Sequence, residues 1–385
     1  MKSCIIIVLL LLTCSNFAWA ASETEALGDQ LLDKLAIDDV NQFISNINRE
    51  LNENIPLLTG AGLREIASKG LTVNWQSVWQ TIVAHLFKEL ATNIHLLGKL
   101  LFLAVLCAML QNLQNSFEQS GISFLAYGVC YIFLIVIALN VFYNALTLAR
   151  QTIGNMVGFM EALLPLLISL LAGVGAVTTA ALFTPLMLFV VSSVSVIVQD
   201  AVLPLLLLTA TLECVNYLSG KYRLYNLTRL FKQTGLIILG FTMVSFIGII
   251  TIQGVAGSVA DGVALRTAKF ATSTFIPVVG KMFADTVELV MGASLLLKNA
   301  IGIFGVATVL LLCAFPLIKL LSLVLIIKVT GAIIQPMGDE KMAQCLDAMG
   351  NNLLLLFGAV LTVALMFFLT ITLIIGAGSI AMMLR

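Results

Sequence analysis

The sequence predicts an all-α, polytopic bundle of about seven to eight transmembrane helices behind a small helical extracytoplasmic amino-terminal domain. Three observations carry this. Of 385 residues, 60% are apolar and 10% charged, against about 45–50% and about 25% in a soluble domain. Mean hydropathy is +1.07, so too little polar surface exists to cover a water-facing globule of 41.4 kDa, and lipid must be the solvent of most of the chain. Apolar runs also recur at spanning length, and such runs are helical because a lipid-exposed strand cannot satisfy its backbone. A soluble enzyme is excluded. Zero formal net charge gives no electrostatic case for a nucleic-acid partner.

Residues 1–20 read as a cleaved secretory signal: Lys2 is the positive start, Cys4 to Thr13 a short apolar core, and Ala18-Trp19-Ala20 the small-x-small cleavage pattern. A lipoprotein signal at Cys14 and a retained anchor are the alternatives. From Ala21 to His95 the chain carries ten acids and five bases, half of the protein's acids. Asp38 or Asp39 can cap a helix with Val40, Phe43, Ile44, Ile47 and Leu51 at helical spacing, broken at Pro56, Gly60 and Gly62. A second helix follows Asn74, with Trp75, Val78, Trp79, Ile82 and Leu86 on its stripe. This makes a thin core, so the domain is expected to pack on a partner or on the membrane face.

The membrane domain is residues 96–385. Predicted spans lie near Leu97–Leu113, Ile122–Leu146, Met156–Val177, Leu182–Val198, Ala201–Leu218, Leu236–Ile252, Ile301–Val324 and Leu353–Ile375. Lys221, Arg223, Arg229 and Lys232 form an acid-free basic segment, the best cytoplasmic loop, while the acidic domain behind a signal lies outside. Five intervening spans satisfy both, with Gln199-Asp200 at an external turn and Arg385 outside. Four bases between Arg266 and Lys298 then fall outside, which strains the rule. The seven cysteines are scattered and mostly sit in apolar runs, as small hydrophobes do, and no disulfide is needed.

Ser258 to Lys298 departs most from a plain span. Arg266 and Lys269, then Lys281, Asp285 and Glu288 beyond Pro277 and Gly280, give two amphipathic helices joined by a breaker. They could line an aqueous cavity, re-enter the bilayer or lie in the interface plane, which makes these five residues candidates for a pore or partner interface. Glu161 and Asp200 are the candidate intramembrane polar residues. Glu161 follows Gly154 and Gly158 and precedes Pro165, which suits an ion or substrate path and equally a loop end in water. Lys319 and Lys328 read as snorkelling near the cytoplasmic face. Enzyme motifs are absent: Gly280-Lys281 is followed by Met282 rather than completing a P-loop, the two histidines form no HExxH, and no GxSxG occurs.

Several runs carry a resemblance. They are Asp261-Gly-Val-Ala-Leu-Arg-Thr-Ala-Lys-Phe, Phe275-Ile-Pro-Val-Val-Gly-Lys-Met-Phe and Gly292-Ala-Ser-Leu-Leu-Leu-Lys-Asn, supported by Glu161-Ala-Leu-Leu-Pro-Leu-Leu, Gln335-Pro-Met-Gly and Cys345-Leu-Asp. Across Met156 to Arg385 the chain resembles the stage III sporulation protein AE family of endospore-forming bacteria. The resemblance implies a membrane component of the channel-like complex linking mother cell and forespore, located in the mother-cell membrane around the forespore. Its implied partners are the other proteins of the stage III sporulation AA–AH operon, including a cytoplasmic secretion-type ATPase, and a forespore-side channel partner. It implies no catalytic residue and no cofactor. An independent secondary transporter using Glu161, Pro165, Gly173 and Gly175 is the alternative, although no convincing inverted repeat is found; an intramembrane protease has the least support.

Reporter fusions within Ala21–His95 should be active only outside the cytoplasm and a fusion at Arg223 only inside. Activity at Arg223 only outside would overturn this orientation.

Overall fold

The structure, a computed structural model, describes residues 75–116, 121–218, 224–275, 279–337 and 340–383. The predicted signal 1–20 and most of the predicted domain 21–95, with its helix after Asp38 and Asp39, lie outside the described residues. Among the described residues the chain is helical and contains no strand. The helices are α1 (Trp75–Thr92), α2 (Ile94–Ser116), α3 (Gly121–Gly173), α4 (Val177–Val196), α5 (Leu203–Leu218), α6 (Tyr225–Phe275), α7 (Val279–Ile334) and α8 (Glu340–Met383). A π-helical turn at Ile197–Val202 joins α4 to α5, and a 3-10 turn at Gln335–Met337 follows α7.

Five runs are long and apolar enough to cross a membrane: Gly128–Gly173, Val177–Tyr217, Tyr225–Ala264, Val290–Ile334 and Glu340–Ala377. The α1–α2 pair, bent by 47°, is either a broken span, which would make a sixth crossing, or a re-entrant loop. The eight predicted spans become five or six, chiefly because two predicted pairs are each one continuous run. Between Leu146 and Met156 the sequence turns polar, which reads as a break, yet polarity alone does not end a helix. Thr147 and Thr152 donate to the carbonyls of Tyr143 and Leu148 at 3.0 and 2.7 Å, while Ala149 and Ile153 stay buried, so the run continues.

Gln199-Asp200 is likewise not a turn between spans but part of the π-helical turn inside the Val177–Tyr217 run. Pro204, which lacks an N–H and crowds the carbonyl of Asp200, four residues earlier, follows directly, and a widened turn there is compatible with it. Two straight runs, instead of five, precede the Lys221–Lys232 segment, and the orientation argument keeps its sign only where the bent α1–α2 pair crosses as a third.

Within the bundle α8 is central and packs on α7, α6, α5 and α3, while α3 also packs on α7, α4 and α2. Gly175, at φ 92°, turns the chain from α3 into α4. The start of α4 has no side-chain cap from Ala176. Asp261 of α6 supplies one from elsewhere in the chain: its two carboxylate oxygens accept the N–H groups of Thr178 at 2.8 Å and Thr179 at 3.0 Å. The buried carboxylate thereby satisfies orphan donors and sits at the positive end of a helix. Gly257 makes the approach possible, since a Cβ there would lie 2.5 Å from Thr179 Oγ1.

These contacts fix the relative depth of the helices. Gly257 faces Thr179, Gly305 faces Leu163 and Ile371, Gly173 faces Ser294, and Glu161 meets Ser192. The stretches 177–199, 233–260, 299–318 and 348–383, which contain no Asp, Glu, Lys or Arg, therefore lie side by side. The shortest is long enough, at about 1.5 Å per residue, for the ~30 Å of a bilayer's hydrocarbon. On α3 the facing stretch 151–173 carries one charge, Glu161. The salt bridges Arg150–Asp200, Lys232–Glu213 and Lys328–Asp347 lie at or beyond one edge of this layer, here termed its basic side.

Asp261→Ala leaves two helix N–H groups without an acceptor in a buried position, a loss of about 1–3 kcal/mol. Its melting temperature in detergent should fall, and Asp261→Asn, which keeps one acceptor, should fall less. Unchanged melting of the alanine variant would contradict the cap.

Candidate functional site

The exposed seam between α3 and α4 gathers polar groups at a depth where lipid accepts few. Glu161 is exposed on α3, and its carboxylate accepts a hydrogen bond from Ser192 Oγ of α4 at 3.2 Å. Gly154, Pro165 and Ser169 share the exposed face. Toward the basic side, Gln199 Nε2 donates to Ser195 Oγ at 2.9 Å, and Arg150 and Asp200 form an exposed pair at 2.9 Å. That pair lies about 16 Å from Glu161 along α3, near the edge of the uncharged layer. Glu161 sits at the layer's middle, where a charge facing lipid costs about 2.5–3.5 kcal/mol.

Local sequence explains why acceptors concentrate here. Pro165 has no N–H to offer the carbonyl of Glu161, four residues earlier, just as Pro204 has none for Asp200. The segments Glu161-Ala-Leu-Leu-Pro-Leu-Leu and Asp200-Ala-Val-Leu-Pro-Leu-Leu are near copies on adjoining, antiparallel helical runs. Reading the chain span by span misses this repeat; comparing acid–proline spacings finds it. Glu161 and Asp200 thus share one seam, each held by a group of the opposite helix.

The other candidates are placed differently. Arg266 and Lys269 occur in the last turns of α6, and Lys281, Asp285 and Glu288 in the first turns of α7. Their side chains lie outside the described residues. In backbone terms 258–275 and 279–298 continue α6 and α7, while the apolar runs long enough to span end at Ala264 and resume at Val290.

Three polar arrangements were not expected. Lys298 is fully buried in α7 and donates to the backbone carbonyl of Ile375 at 2.8 Å. On the basic side, Glu213 of α5 accepts from Asn352 Nδ2 of α8 at 2.6 Å and lies 3.8 Å from Lys232 Nζ of α6, so three helices share one carboxylate. Lys328, expected to snorkel, instead donates to Asp347 at 3.0 Å and to Asn351 at 2.8 Å and ties α7 to α8; Lys319 is exposed. Sequence spacing could not pair residues so far apart in the chain. Among the described residues no group of three His, Cys, Asp or Glu side chains is placed to hold a metal ion.

A helical membrane bundle with these features has a close counterpart in known families. Residues 60–378 match the family described as stage III sporulation protein AE. The chain belongs to that family. The stage III sporulation protein AE of Bacillus subtilis (strain 168) is 39% identical over 365 residues, 95% of this chain and 92% of the relative. No solved structure matches. Family membership and the apolar helices together define a multi-pass membrane protein of the sporulation context.

Cys214 of α5 and Cys345 of α8 are buried free thiols whose sulfurs lie 3.7 Å apart. A membrane-permeant oxidant such as diamide should join them, and mass spectrometry should recover the linked peptides. Recovery of both as free thiols while other thiols react would contradict the α5–α8 packing.

Proposed function

We propose that this protein is a non-enzymatic integral component, export-gate-like or permease-like, of the channel complex linking mother cell and forespore, and is required for forespore development. The observation that carries the reading is the match to a stage III sporulation protein AE along 95% of the chain. Its partners on this reading are the other products of the AA–AH operon, with the cytoplasmic secretion-type ATPase supplying the energy that a chain without a P-loop does not extract itself. Its place is the mother-cell membrane around the forespore.

Exposed apolar surface supports membership of an assembly. On the basic side of Arg150, α3 exposes Val129, Ile132, Phe133 and Val136 by 50–59%, beyond the level of the four aligned stretches and within 119–149, which is itself free of charge. Protein cover suits such a face better than water. The one observation favouring a second reading, an independent secondary transporter, is Glu161 beside Pro165 at mid-depth.

Affinity purification of the tagged, complementing protein from sporulating cells should recover the operon's other membrane and ATPase products, and deletion of the gene should block spore formation. A monodisperse monomer that moves solute across liposomes without those proteins would favour the transporter.

A further inference from the structure

We propose that the α3–α4 seam around Glu161 is a docking site for a transmembrane helix of a second protein, one that carries a Lys or Arg at mid-depth to pair with Glu161. The argument is one of depth and charge. Glu161 lies in the middle of the layer formed by four uncharged stretches of the neighbouring helices, and its carboxylate is exposed rather than turned into the bundle. Ser192 supplies one hydrogen bond at 3.2 Å. An ionised carboxylate facing lipid with a single hydroxyl donor is under-satisfied.

The seam has the shape and polarity to receive a helix. Gly154 and Ser169 flank Glu161 on the exposed face of α3, so the α3 side of the seam is open, while Phe189 and Val196, exposed on α4, border it on the other side. The Glu161 carbonyl, which Pro165 cannot serve, adds a second acceptor at the same place. An ammonium or guanidinium has several donors and matches this set of carboxylate, carbonyl and hydroxyl oxygens. By contrast, α6 at the corresponding depth exposes Phe241, Val244 and Ile252, a face suited to lipid.

A second copy of this chain fits less well. In copies inserted with the same orientation, depth is preserved, and the four uncharged stretches that define this depth contain no Lys or Arg. Arg150, Lys298 and Lys319 lie toward the edges of the layer, and Arg150 is engaged by Asp200. The base must come from another protein. This inference does not rest on the channel-complex reading, because it is argued from the depth and exposure of Glu161 alone.

The test is photo-crosslinking in sporulating cells that carry the full-length protein with benzoylphenylalanine in place of Gly154 or Ser169, and in place of Phe241 as the lipid-facing control. The seam positions should yield a linked peptide from a membrane-spanning segment of another protein with Lys or Arg among its apolar residues, while Phe241 should not. Glu161→Gln should lower the adduct about tenfold, corresponding to ~1.4 kcal/mol, at unchanged membrane level. Glu161→Lys combined with a Glu in place of the partner's base should restore it. The proposal is overturned by a linked peptide from this same chain, by lipid adducts alone, or by reaction of Gly154→Cys with a membrane-impermeant thiol reagent, which would make the seam a water path. Should Glu161→Gln fail to accumulate, the peptide captured by the otherwise unaltered chain still decides the neighbour's identity.

Discussion

Hydrocarbon's intolerance of unpaired polar groups governs the arrangement of this bundle. Every charge described in or beside a spanning helix, Glu161 excepted, is drawn toward an edge of the uncharged layer, a partner, or backbone. Asp261 spends its carboxylate on the free N–H groups of α4. Lys298 reaches the Ile375 carbonyl, and Glu213 sits between Lys232 and Asn352. Arg150, Asp200, Lys328 and Asp347 pair on the basic side. These bonds join helices distant in the chain, so the same constraint that removes charge from lipid also fixes helix register. Among the described residues Glu161 alone stands exposed at mid-depth, and that exception is what makes the α3–α4 seam informative.

Much of this architecture was legible in the sequence. Composition and the length of the apolar runs give a helical membrane bundle, because backbone satisfaction leaves no other option for such a chain in lipid. Helix breaks were less legible. The stretch from Thr147 to Asn155 is polar, yet buried Ala149 and Ile153 and the threonine back-bonds carry the helix through it. Gln199-Asp200 looks like a turn because it is polar and lies before Pro204, but the π-helical turn absorbs the proline without ending the run. Depth and pairing are tertiary facts. In sequence Asp261 is only the first residue of a family-like run, and the turn at Gly175 and the close approach at Gly257 are what bring it to α4.

For function, the family match and the bundle's surface speak to different levels. The match sets the biological context along nearly the whole chain. The surface divides by depth into a lipid-like face on α6, a polar seam on α3–α4, and an apolar face on α3 beyond the salt-bridge level. Of the three, the polar seam is the one that lipid alone does not suit.

The central claim is that the uncharged layer, with Glu161 at its middle, is the part of the bundle in hydrocarbon. Nitroxide depth measurements on the cysteine-free protein in bilayers, comparing Val244→Cys on α6 with Val136→Cys on α3, test it most directly. The account expects the label at position 244 near the bilayer centre, with high oxygen and low polar-relaxant accessibility, and the label at position 136 outside the hydrocarbon. A label at 136 as deep as that at 244 would contradict it.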